Sequence, residues 1–124
     1  MANPNIVNVS TIYGNTAQAT PSNTSANVLL ANASGSGKVY KVDMVVASNI
    51  DGTNAVNASV GINSAADGSG TTILLASTIS VPANASLILV DKSVSFYLLE
   101  NKSVVVTSGT ASKISYTVSY EDIS

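Results

Sequence analysis

The chain has 124 residues, of which only 12 are charged: 5 lysines against 7 Asp and Glu, for a formal charge of -2. It has no His, Cys or Trp, and because five lysines account for all its basic residues it has no Arg. Disulfides and thiolate or imidazole metal sites are therefore excluded, and most of the usual general bases and nucleophiles are missing. The lysines are scattered and outnumbered, which speaks against the basic stripe of a nucleic-acid binder.

Hydrophobic residues recur with a period of two almost throughout, and no window has a capped 3.6-residue pattern. In chain order, a first strand is expected near residues 6–13 and a second near 26–33. Ser34-Gly-Ser-Gly37 turns the chain into a third strand near 38–48, where Tyr40, Val42, Met44 and Val46 form one stripe opposite Lys41 and Asp43. Asp51-Gly52 marks a reversal before a fourth strand over 55–63, with Val56, Ala58, Val60 and Ile62 on one face. A glycine-rich loop, Ala66-Asp-Gly-Ser-Gly70, leads to a fifth strand over 72–81. Further strands are expected over 86–90, 94–99, 103–107 and 112–121, and in the last Ile114, Tyr116, Val118 and Tyr120 share a face. About nine short strands at this spacing predict one all-β domain over residues 1–124, a single antiparallel β-sandwich of jelly-roll type.

Two strands carry apolar residues on both faces: the second, at Val28, Leu29 and Leu30, and the fifth, at Ile73, Leu74 and Leu75. Both are candidates for central, doubly covered positions, unless they are merely imperfect alternations. The longest apolar uncharged stretch, Gly68 to Val90, is broken by Thr, Ser, Asn and Pro82, which a lipid-spanning helix would not tolerate. The amino terminus shows neither the basic segment nor the apolar core of a signal peptide.

Sites for chemistry are sparse. Asp51 and Asp67 sit beside glycines, where Asp is favoured for turn formation alone. Neither offers the ligand spacing of a calcium loop or the pairing of catalytic carboxylates. Ser34-Gly-Ser-Gly-Lys38 lacks the first glycine of a phosphate loop and is followed by Val39 in a strand pattern, so it reads as a hairpin loop. No catalytic, cofactor-binding or metal residue is assigned, and no enzymatic activity is expected.

The first charged side chain is Lys38. An uncharged leading segment reads either as an ordinary first hairpin or as an arm, over residues 1–20, that lies against a neighbouring subunit. Ile6, Val9, Ile12 and Tyr13 are its candidate interface residues. Short polar side chains lose little rotamer entropy when ordered, and their burial avoids the desolvation cost of charge. Such a surface suits dense packing against other proteins, and its strand edges should be covered in the working state.

Asn3-Pro-Asn-Ile-Val-Asn-Val9 followed by Ile12-Tyr13-Gly14 resembles the opening of small virion structural proteins of tailed phages, especially those infecting marine cyanobacteria. Ala33-Ser-Gly-Ser-Gly-Lys-Val-Tyr-Lys-Val42, Ser48-Asn-Ile-Asp-Gly-Thr53, Tyr97-Leu-Leu-Glu-Asn-Lys-Ser-Val104 and Ser119-Tyr-Glu-Asp-Ile-Ser124 resemble later parts of the same proteins. The resemblance implies a capsid decoration or cement protein, located in the virion after synthesis in the host cytoplasm. Its partners would be phage coat or other virion proteins and copies of itself, with no nucleic acid and no membrane. A neck, tail or baseplate component is the first alternative, and a carbohydrate-binding or host-adhesion sandwich with an exposed Tyr platform is the second.

Overall fold

The computed structural model describes residues 7–124, which form nine strands in two antiparallel sheets. β1 (Ile12–Ala19), β9 (Ile114–Ile123), β3 (Val39–Asn49) and β6 (Ser86–Val90) make the first sheet in that order, and β7 (Phe96–Leu98) continues the β6 edge along β3. β2 (Asn27–Asn32), β8 (Lys102–Ser108), β4 (Val56–Asn63) and β5 (Thr72–Val81) make the second. Counting β6 and β7 as one interrupted strand leaves eight, which cross between the sheets at every connection but the β4–β5 hairpin, the order of a jelly roll. The expected sandwich is therefore the observed fold.

The core lies where the two alternating faces meet. Val56, Ala58 and Val60 of β4 pack with Val104 and Val106 of β8, against Val42, Val45, Ala47, Ile114, Tyr116 and Val118 of the first sheet. At roughly 1.5–3 kcal/mol for each fully buried aliphatic side chain, this burial is the main stabilising term.

Three details depart from the sequence reading. Among the described residues the first strand begins at Ile12, and residues 7–11 of the expected 6–13 strand precede it. It is anchored by Ala17 and Ala19, whose small side chains pack against the core. In β3 the register shifts between Val42 and Met44, so Asp43 bulges. The inward stripe is therefore Val42, Val45 and Ala47, and Met44 and Val46 are only half-buried. β2 and β5 are the two edges of the second sheet, and β8 and β4 are central. Their apolar residues have other causes. β2 bulges at Leu29, which turns Leu29 and Leu30 both into the core. A Cβ on Gly68, with φ +79°, would lie 2.9 Å from the Val28 side chain, so the 64–71 loop rests on the outer face of β2. Ile73, Leu74 and Leu75 of β5 are simply exposed.

β2, β3 and β4 each end on a buried asparagine: Asn32, Asn49 and Asn63. Asn63 Nδ2 donates to the Gly70 carbonyl and the Thr72 hydroxyl, while its Oδ1 accepts from the Ala65 and Gly70 amides. It thereby closes the loop on which Gly68 sits. Asn32 Nδ2 donates to the carbonyls of Lys38 and Leu98, the latter across the sandwich on β7.

Candidate interaction surface

Three carboxylates of this protein, Asp51, Asp67 and Asp91, serve its turns. Asp51 accepts from the Thr53 and Asn54 amides, and these bonds, the Thr53 one foremost, hold its pKa below the usual carboxylate value. The Ser69 hydroxyl and amide lower that of Asp67, and the Ser93 hydroxyl and amide lower that of Asp91. Asp91 also caps the 3-10 turn Lys92–Val94 between β6 and β7. Each of these carboxylates uses its Oδ1 to accept from neighbours in its own loop. Among the described residues no group of three or more acidic side chains is placed to hold a metal. The Ser34–Lys38 loop is a turn as well: Gly35 and Gly37 take φ of +74° and +68°, and the Gly35 amide donates to Glu100 Oε2.

Charge is concentrated on the middle of the first sheet and on loops. Lys41 lies 3.9 Å from Glu121 across the β3–β9 ladder, and Lys38 lies 3.2 Å from Asp122. β1, β2, β5, β6 and β7, which form every sheet edge, contain no charged residue. Edge strands commonly rely on charge to resist pairing with other chains; bulges and interruptions do the same.

Three of the four edges are blunted in that second way. β2 is bulged at Leu29. β5 shifts register twice against β4, and its Thr78 takes φ +48° with its amide donating to Ser59 Oγ. β6 shifts at Leu89, stops at the 3-10 turn and resumes as β7. β1 is different. It keeps one unbroken register with β9 from Ile12↔Ile123 to Ala19↔Tyr116. Residues 12–16 of its outer edge are exposed, including Ile12 at 54% and Tyr13 at 61%.

The sequence-predicted interface residues thus divide. Ile12 and Tyr13 are adjacent, exposed and on the regular edge, while Val9 is half-buried just before it. Ile6 lies outside the described residues. Of the stretch 1–20 read as an arm, residues 12–19 are a sheet strand. A second apolar feature was not anticipated as a site: a shallow groove between β5 and β7, lined by Ile62, Ile73, Tyr97 and Leu99 with Lys102 at its rim. Ile73 is 68% exposed there, because β7 is too short to cover it. Tyr13 and Tyr97, the two exposed tyrosines, occupy opposite edges of the first sheet and form no common platform.

No family model matches the chain, and no curated protein matches it. Solved structures that share its architecture include the following two. One comes from the work titled "Acidic stable capsid structure of Helicobacter pylori bacteriophage KHP30": 16% identity, 94% of this chain and 90% of that chain covered, TM-score 0.53. The other belongs to Bacillus endospore appendages, described as a novel family of disulfide-linked pili: 18% identity, 91% and 85% covered, TM-score 0.51. Both likenesses are likenesses of fold. Covalent linkage of the kind named for those pili is unavailable here, since the chain has no cysteine.

Proposed function

We propose that this protein is a structural component of a phage particle, a decoration or cement protein that binds the assembled shell and bridges coat subunits. The observation that carries the reading is the β1 edge: uncharged, regular, and exposing Ile12 and Tyr13 while every other edge is blunted. A protein that binds only the assembled state stabilises that state by mass action. The fold likeness to a phage capsid structure supports the same setting, and so does the resemblance of the chain's opening and closing motifs to phage virion proteins. No catalytic role is assigned, because its lowered-pKa carboxylates are all engaged with their own turns.

The likeness to a pilus subunit favours a second reading, a repeated component of the neck, tail or baseplate. Copy number on purified particles separates the two: closed rings contain few copies, and a shell contains many. Particles lacking the chain should bind the added wild-type protein. They should fail to bind an Ile12→Ser/Tyr13→Ser variant whose far-UV β spectrum is intact. Equal binding by that variant removes the β1 edge from the mechanism.

A further inference from the structure

We propose that β1 pairs with β1 of a second copy, antiparallel about a two-fold axis, so that the first sheets of two subunits become one continuous sheet. This rests on the reading of β1 as the working edge and names its partner.

The partner is argued from the edges themselves. A long ladder needs two regular strands, and among the described residues β2, β5 and β6–β7 are each bulged or interrupted. β1 is the edge that can supply both sides. In an isologous contact like faces like, so any charge on the strand would meet its own copy at close range. β1 has none, and the first charged residue of the chain is Lys38.

The pleat fixes the register further. Ala17 and Ala19 face the core, so odd-numbered residues of β1 lie on the inner face. A two-fold axis perpendicular to the sheet keeps inner faces together, so paired residues must both be odd or both be even. The registers that use most of the strand therefore place the axis at Asn15 or at Thr16, each opposite its own copy. In either case the self-paired Cα atoms stand about 4.5–5.5 Å apart, within disulfide reach. The strand is about 27 Å long and a sheet layer about 10 Å thick. The ladder's footprint is thus well below the ~800 Å² per partner of a standard interface. Isolated subunits pair weakly, and cross-linking is the appropriate probe.

The chain has no native cysteine to interfere. Asn15→Cys and Thr16→Cys variants, with Ser80→Cys on the bulged β5 edge as control, are oxidised at about 1 mM protein, a concentration that captures millimolar pairing. One of the two β1 variants should shift to a disulfide-linked dimer on a non-reducing gel, and the control should remain monomeric. The proposal is overturned if neither β1 variant dimerises beyond the control. It is equally overturned if Asn15→Cys and Thr16→Cys link only to a different protein of the particle. Either of those results with shell binding intact leaves the virion reading standing; failure of the wild-type protein to bind particles that lack it overturns that reading and not this one.

Discussion

Asn49 Nδ2, at the end of β3, donates to the Val81 carbonyl at the end of β5, 2.9 Å away, and ties one sheet of the sandwich to the other. The same amide donates to the Asn54 carbonyl, and its Oδ1 accepts from the Asp51 amide. A protein without disulfides has its two sheets joined here by an amide side chain that satisfies three backbone groups at once. Asn32 does the same in the opposite direction, from the second sheet to Leu98 on β7. Tyr116 adds a third polar link from β9, its hydroxyl donating to the Thr107 carbonyl on β8 at 2.7 Å.

Asn49→Ala should therefore destabilise the fold by about 2–4 kcal/mol, since it leaves buried carbonyls without donors. Urea unfolding should show a lower midpoint with an unchanged slope, because the surface exposed on unfolding is the same. Asn49→Asp should not rescue it: aspartate keeps the acceptor but loses both donated bonds and buries a charge.

Gly61→Ala tests how closely β4 and β5 approach. A Cβ at this position would meet the Ile73 carbonyl oxygen at 2.6 Å and the Leu74 Cα at 3.1 Å, both main-chain atoms. The substitution should cost about 1–3 kcal/mol by overpacking. Amide exchange should quicken along β5 before it changes on β3 or β9.

How much of this was legible beforehand depends on the strand. β4 and β9 were readable because strict alternation places Val56, Ala58, Val60 and then Ile114, Tyr116, Val118 on the buried face. β3 was readable as a strand but not in its facing, because an inserted Asp43 leaves no mark in a period-two pattern. For β2 and β5 the sequence leaves a central position and an imperfect alternation open, because apolar residues on both faces read the same whether covered or exposed, and the fold puts both strands at edges. The clasping asparagines were invisible for another reason. Asn beside Asp, Gly and Ser reads as ordinary turn chemistry, and only the fold shows that Asn32, Asn49 and Asn63 point inward. Of the candidate interface, Ile12 and Tyr13 are singled out in the sequence by the missing charge around them; the regularity of their edge is a three-dimensional fact.

Stability should be flat between about pH 5 and 8, because no histidine titrates there. Asp51, Asp67 and Asp91 have folded pKa values below the ordinary carboxylate value. Their contribution is present above that value, about 3.9, and is lost as pH falls through the lower folded ones. Burial, first among its causes, raises the Tyr116 pKa, and Tyr40 and Tyr120 shift upward for the same reason. Their contribution is complete below the unfolded value, about 10, and is lost as pH rises through the folded values. Thermal unfolding across pH 2–11.5 should therefore give a plateau with two falling limbs, and Tyr116→Phe should lower the plateau and soften the alkaline limb. A transition centred near pH 6.5 would contradict this assignment.

Ile73→Lys should leave folding stability within about 0.5 kcal/mol, since the side chain is mostly solvated. It should reduce aggregation on heating by placing a charge beside the apolar groove and on an uncharged edge. Urea unfolding reads the first effect, and light scattering during a thermal ramp reads the second.

The central claim is that this protein works by protein–protein contact along β1. A cryo-electron microscopy map of the intact particle with the chain placed in it is the most direct measurement. In that map the outer edge of Ile12–Ala19 should be covered by protein, hydrogen-bonded to another strand. A map in which that edge faces solvent, with the subunit held through the β5–β7 groove instead, would contradict it.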